Sequence, residues 1–309
     1  MTKELLVGST GFVGGNLKRL HEFHAVCHSA DIAQHFGSRP ELCVYAGIPA
    51  AMFLANSAPE EDLQVMRQAR ENLRRIAPAH VVLISTIAVY GDSRQKNETH
   101  QPDAVSAYGK NRFQLEQWVR EDFPDTCILR LPALYGNGLK KNFLYDLHTI
   151  TPAMLRPEVY HQLEEEPLIR NAYTEGTNGF FVLRPDCDRQ MLRRWFSQAD
   201  FNALCFTDSR SRFQFYGLSR LWQDIQTALS EKLELVHLCT PPVSAGEVYS
   251  FLTGKNWNHE IPDKMPFDYD LQSLYAERFG GNGSYLCTLE QELTQIRSFM
   301  TAWEQEVLS

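Results

Sequence analysis

Short apolar runs alternate with longer mixed stretches through the first half of the chain. Leu5-Leu6-Val7 reads as a buried strand, and Val13 to Leu20 as a helix. His24 to Cys27 and Leu42 to Ala46 read as a second and a third strand. His80 to Ser85 is a continuous apolar run, the fourth strand, and Cys127 to Leu131 is the fifth. Ser57-Ala58-Pro59-Glu60 has the form of a capping box with proline in the first turn, which predicts a helix from there to about Ile76. Ala107 to Glu121 predicts another. Short apolar strands alternating with helices point to the α/β class, with a doubly wound parallel sheet.

The second half is less regular. Residues 150–206 mix prolines, short apolar pieces and an acidic run, Glu164 to Glu166, read as a solvated face. Leu218 to Leu229 reads as a helix and Leu233 to Leu238 as a further strand of the sheet. Ser244-Ala245-Gly246-Glu247 and Thr288-Leu289-Glu290-Gln291 are two more capping boxes. The pattern predicts a sheet domain from residues 1–143 and about 207–240, with a smaller C-terminal lobe from 144–206 and 241–309.

Composition removes several function classes. With 43% hydrophobic residues among 309, a large core can be buried. A formal charge of -8 and a pI of about 5.7 argue against a nucleic-acid or anionic-membrane partner, while leaving room for a local basic pocket. No apolar stretch is long enough to span a bilayer. The opening residues run straight into a strand, so no secretory leader is expected. Seven cysteines are scattered without a CxxC pair, several in apolar runs such as those around Cys43 and Cys127. They read as small buried hydrophobes in a reducing cytoplasm. His21, His24, Cys27 and His28 straddle a helix end and a strand, where side chains diverge, so no metal site is expected. Trp222 and Trp303 lie in amphipathic helices, as packing residues or at a homodimer interface.

The densest chemistry sits at the start. Gly8-Ser9-Thr10-Gly11-Phe12-Val13-Gly14 follows a strand and opens a helix. The first glycine permits a tight turn, the second lets backbone N–H groups approach a pyrophosphate, and the third lets helix and strand pack closely. The helix N-terminus then faces the phosphates. This predicts NAD or NADP held by Gly8, Thr10, Gly11, Phe12, Val13 and Gly14. The acid expected on the ribose about twenty residues later is missing, and His28-Ser29 stand where the second strand ends. A 2′-phosphate is not repelled there, which favours NADP. His28 either contacts that phosphate or caps the surface.

Three further motifs follow in order. Ile84-Ser85-Thr86-Ile87-Ala88-Val89-Tyr90-Gly91 ends the fourth strand, Tyr108-Gly109-Lys110-Asn111-Arg112 opens the next helix, and Leu129-Arg130-Leu131-Pro132-Ala133-Leu134-Tyr135-Gly136 ends the fifth strand. With the glycine turn, they resemble the extended short-chain dehydrogenase/reductases of the epimerase/dehydratase superfamily. The short segment before Asp31 is similar to the dTDP-4-dehydrorhamnose reductase branch. The resemblance implies a Rossmann-like domain with a substrate-binding C-terminal lobe. It implies that Asp31-Ile32 lie beside the adenine, that Ala46-Gly47 form a backbone cradle, and that Ser85 and Pro132 border the cofactor.

It also implies a mechanism. Tyr108 matches the tyrosine that transfers a proton while hydride moves between nicotinamide and a carbon bearing a hydroxyl or ketone. Thr86 matches the hydroxyl that bonds the reacting oxygen. The family's lysine, four residues after the tyrosine, is Arg112 here. Lys110 points to nearly the opposite face of a helix. Arg112 is expected to supply charge and donors to the cofactor ribose, although a guanidinium is not a positional copy of an ammonium. The Asp-Glu pair of the 4,6-dehydratases is replaced by Ile87 and Ala88, which have no acid or base. Ketone reduction, alcohol oxidation or epimerisation on a nucleotide-linked sugar remains, with no metal. A small ketone or aldehyde is an alternative substrate. A non-catalytic NAD(P)-binding or sensor protein is the alternative function. Arg212, with Arg210 beside it, is a candidate for holding a sugar diphosphate or is a surface residue. Asn142 is expected at the substrate pocket.

Overall fold

The computed structural model describes residues 3–176 and 179–308. The chain divides into two compact units. One comprises Met1–Leu139, Arg212–Val243 and Phe267–Phe299. The other comprises Lys140–Ser211, Ser244–Pro266 and Met300–Ser309.

The first unit is built on β1 (Glu4–Val7), α1 (Phe12–Leu20), β2 (Ala25–Cys27), β3 (Leu42–Tyr45), α2 (Met52–Ser57), α3 (Pro59–Ile76), β4 (His80–Thr86), α4 (Ala107–Asp122) and β5 (Thr126–Leu131). A last strand, Leu235–His237, pairs with β5. The six strands form one parallel sheet in the order Leu235–His237, β5, β4, β3, β1, β2. All six strands expected from the apolar runs are present.

Alternation along each strand explains the layering. Leu6, Val44, Val82 and Leu129 point to one face, against Leu17 of α1 and Leu221 and Ile225 of the helix Leu221–Ser230. Leu5, Val7, Cys43, Tyr45, Val81, Leu83 and Ile128 point to the other, against Met66, Ala69 and Leu73 of α3 and Leu115 and Val119 of α4. Both faces are covered, as a parallel sheet requires. Acids in the first turn of α3 (Glu60, Glu61, Asp62) and Arg74 and Arg75 in its last turn complement the helix dipole.

Helix α4 departs from this apolar pattern. Its buried face carries Tyr108, Asn111, Arg112 and Glu116 besides Leu115 and Val119. Glu116 takes a bidentate pair from Arg130 of β5, at 3.0 and 2.5 Å, and accepts from Ser85 Oγ at 2.5 Å. Both charged side chains are 1% exposed. Arg130 also donates to Tyr90 Oη at 2.7 Å, which sits 3.3 Å from His237 Nε2. Burial, then the nearby Arg130, push His237 down to about 3, so it is neutral and its Nδ1 donates to the Gln272 carbonyl at 2.9 Å.

The sequence reading needs two corrections here. Ser57 does not cap α3. It closes α2, donating to the Leu54 carbonyl, and Ala58 is the cap residue with no side-chain bond. Two helices meet where one was expected, because Pro59 disfavours helical backbone at the residue before it. Residues 267–299 pack in the sheet unit, whereas the pattern placed them in the lobe. Gln214 bonds both the N–H and the C=O of Leu271, and the Leu286 N–H reaches the Cys239 carbonyl. Contacts so distant in sequence leave no mark on local periodicity. The other two capping boxes form, at Ser244/Glu247 and Thr288/Gln291.

The second unit has its own core of Leu155, Tyr160, Ile169, Ala172, Tyr173, Leu192 and Phe196. A three-stranded antiparallel sheet runs through it, with Phe181–Leu183 between Met154–Leu155 and Tyr173–Glu175. All seven cysteines are free, and five are buried. Among the described residues no helix is long and apolar enough to cross a membrane.

The buried pair generates a stability prediction. Glu116→Ala leaves Arg130 charged and dry, and should destabilise the chain by about 3–5 kcal/mol in urea unfolding. Replacing both partners, Glu116→Leu with Arg130→Met, should cost clearly less. Equal losses would show that the pairing is not what matters.

Candidate active site

β2 pairs on one side of β1, and the connection after β2 crosses over so that β3 and the later strands add on the other side. A crevice forms at such a switch point, at the carboxyl ends of the two strands. Here it is lined by backbone. Gly8 has φ +91°, and a Cβ on it would lie 2.5 Å from Gly47 Cα. A Cβ on Gly14 would lie 2.1 Å from the Gly8 carbonyl oxygen. Neither position admits a side chain. The Gly8 and Ser9 N–H groups donate to the Cys27 carbonyl, tying the turn to β2. The first-turn amides of α1 (Phe12, Val13, Gly14) have no carbonyl one turn back within the helix. Thr10 and Gly11 beside them are exposed. Asn16 secures the helix from behind: its amide donates to the Asn137 carbonyl and its oxygen accepts from the Asn137 N–H, at 2.9 and 3.0 Å.

Beyond β2 the chain folds into a small clamp. Asp31 Oδ1 accepts from the His28 N–H at 2.7 Å, and its other oxygen lies 3.4 Å from His28 Nε2. His28 is therefore already partnered by a carboxylate. Ser29 is exposed and Ile32 is buried beneath the turn.

Thr86 ends β4, in register with Leu131 of β5, so Pro132 and Thr86 lie at the same end of the sheet. Thr86 Oγ1 accepts from the Ala88 N–H, and its hydroxyl is near enough to the Tyr108 phenol to ease its ionisation. Ser106 caps α4, and the Tyr108 N–H donates to Asn56 Oδ1 of α2 at 2.9 Å. Gly109 lets α4 close onto the turn after β4, since a Cβ there would lie 2.0 Å from the Ala88 oxygen. Tyr108 is 6% exposed. Burial pushes its phenol above the ordinary value. Arg112 and Thr86 pull it back, and Asp62 pushes it up again.

Arg112 lies flat under that ring, its guanidinium carbon 3.9 Å from the ring centre. One terminal nitrogen is paired with Asp62 of α3 and the other donates to the Pro49 carbonyl at 2.6 Å. The sequence reading gave this fork to a cofactor ribose. In the structure protein groups take both ends, and Nε is the donor without a protein partner. Lys110 faces outward.

Other candidates fall elsewhere. Ser85 Oγ is spent on Glu116. Asn142, in the second unit, caps the helix Phe143–Thr149 through bonds from the Leu144 and Tyr145 N–H groups, with φ +105°. Arg212 is exposed and bonds Asp268 at 3.3 Å. Arg210 is held by Asp208 and Glu260. Among the described residues no group of His, Cys, Asp and Glu could hold a metal. Sequence reasoning missed Asp62, Asn56 and Asn16. Asp62 is one of three successive acids in the first turn of α3, and nothing in that spacing sets it apart from its neighbours.

Residues 2–152 match the family described as the RmlD substrate binding domain. No curated protein matches the chain. Solved structures similar in fold include a dTDP-4-dehydrorhamnose reductase from Bacillus anthracis in complex with NADP (15% identity, TM-score 0.63, 98% of this chain and 99% of that one). MoeE5 in complex with UDP-glucose and NAD is similar at 15% identity and TM-score 0.61, over 99% and 100%. The UDP-N-acetylglucosamine 4-epimerase from Bacillus cereus is similar at 13% and 0.60, over 98% and 99%. Residues 2–152 are thus similar to the RmlD substrate binding domain, and the chain has the Rossmann-like fold of these solved structures.

Proposed function

We propose that the chain is an NAD(P)-dependent reductase or epimerase acting on a nucleotide-linked sugar or a related hydroxy or keto compound. The observation that carries this is the juxtaposition of the Thr86 hydroxyl and the Tyr108 phenol at the carboxyl end of the sheet, where Thr86 acts on the phenol's ionisation. Fold alone does not give function, so the weight rests on these two hydroxyls. The similar structures in complex with NADP, or with UDP-glucose and NAD, support the cofactor and the substrate class.

The residues present fit a dinucleotide. Gly8 and Gly14 are positions that a Cβ would close. The amides of Phe12, Val13 and Gly14 would hold the pyrophosphate, with Thr10 and Gly11 at its side. Ala46 and Gly47 would line the crevice, Ile32 and Asp31 the adenine end, and Pro132 the inner end. Because His28 is paired with Asp31, neither NAD nor NADP is excluded at the ribose. When bound, the nicotinamide supplies or takes up a hydride.

The chain's own residues handle the proton. Tyr108 holds it on a phenol that burial keeps neutral at pH 7, ready to give to a developing alkoxide. Thr86 orients the same oxygen. Ile87 and Ala88 offer no group for eliminating water, which argues against a 4,6-dehydratase.

Two outcomes test this reading. Wild-type chain with NAD(P)H should turn over at least one nucleotide keto-sugar, and Tyr108→Phe should lower that rate by roughly a hundredfold or more while leaving cofactor binding in place. Full activity in Tyr108→Phe would sink the mechanism. Cofactor binding by calorimetry without turnover of any substrate would instead indicate a binding module. Gly14→Ala should weaken NAD(P) binding roughly tenfold or more, about 1.4 kcal/mol, with the sheet intact by circular dichroism.

A further inference from the structure

We propose that Asp62 is a positioning residue that helps keep Tyr108 a proton donor: it pins Arg112 beneath the phenol ring and partly offsets its charge, which suits the site to carbonyl reduction. This rests on the functional reading above and deepens it.

A positive charge against a phenol favours the phenolate, which is a base and serves alcohol oxidation. Arg112 is in contact with the Tyr108 ring, yet its charge is not free. Its side chain is 4% exposed and Asp62 is 9% exposed, so the pair is screened by little water. Asp62 is itself held in place. Its Oδ2 also accepts from Asn111 Nδ2 at 2.9 Å, and Asn111 bonds the Pro59 carbonyl at 3.0 Å. The Pro49 carbonyl fixes the other end of the guanidinium. Both terminal nitrogens of the guanidinium are thus held by protein groups, Asp62 on one side and Pro49 on the other.

The groups acting on the phenol can be named element by element. Arg112 comes from its own helix, Asp62 from α3 and the Thr86 hydroxyl from β4. From α2, Asn56 is uncharged and bonds the Tyr108 backbone. The two charges oppose one another, and burial favours the neutral phenol.

A neutral phenol can complete a reduction. The carbonyl carbon gains hydride from the reduced nicotinamide, which is oxidised. The C=O π bond breaks, and its oxygen takes the proton from Tyr108 Oη. The phenolate left behind recovers a proton from water. The rate of reduction should hold through neutral pH and fall as pH rises through the Tyr108 titration, while oxidation rises with it.

The test is the ionisation of Tyr108, read as tyrosinate absorbance in the difference between a chain and its Tyr108→Phe counterpart. That difference isolates one of twelve tyrosines. Asp62→Asn should move the ionisation down by about one pH unit or more, and Arg112→Gln should move it up. The double variant, Asp62→Asn with Arg112→Gln, carries no charge in the pair and should titrate above Asp62→Asn and below Arg112→Gln, so it serves against whichever single variant folds. In Asp62→Asn the alkaline fall in reduction rate should shift to lower pH by the same amount. An unmoved ionisation in Asp62→Asn, or a double variant that titrates below Asp62→Asn or above Arg112→Gln, overturns the proposal. Turnover with an unmoved ionisation overturns the role of Asp62 and leaves the functional reading intact. A shifted ionisation with no turnover supports the charge pairing and overturns the functional reading.

Discussion

Arg112 and Glu116, one turn apart on the buried face of α4, are charges of opposite sign that water barely reaches. Each must be paired, because an isolated buried charge costs several kcal/mol. Glu116 finds Arg130 on β5, and Arg112 finds Asp62 on α3. Helix α4 is thereby fixed in rotation against the sheet and against its neighbouring helix. An apolar face would pack almost as well after a small slide, whereas these pairs hold in one alignment. Tyr108 inherits that alignment, since it is one turn before Arg112 on the same face.

The opposite side of the crevice is organised by the absence of side chains. Gly8, Gly14 and Gly47 bring three stretches of backbone so close that a Cβ on Gly8 or Gly14 would overlap a neighbour. What remains there is N–H groups at a helix start, suited to an anion. One wall of the site is thus charged side chains locked in pairs, and the other is bare backbone.

The sheet and the glycine turn were legible because each rests on a local pattern. Apolar runs of strand length located all six strands, since each strand buries both faces within a few residues of sequence. Strand, glycines and helix lie within residues 4–20. The hydroxyl pair was legible only through the order of four motifs, which carry over positions and not contacts. The Ser57 cap failed although its spacing was right, because the residue before Pro59 leaves the helical region and splits the segment in two.

Sequence alone thus determined the layered α/β sheet and the glycine turn that ends its first strand, while Thr86 and Tyr108 were named through a resemblance. The tertiary structure decided what surrounds them. Whether Arg112 reaches outward as a cation or lies paired beneath the ring depends on Asp62, fifty residues earlier, and on a carbonyl at Pro49. The unit to which residues 267–299 belong depends on Gln214 and Cys239. Coulomb energy and hydrogen bonding act through distance in space. Residues that meet only after folding leave no periodicity by which a linear sequence could reveal them.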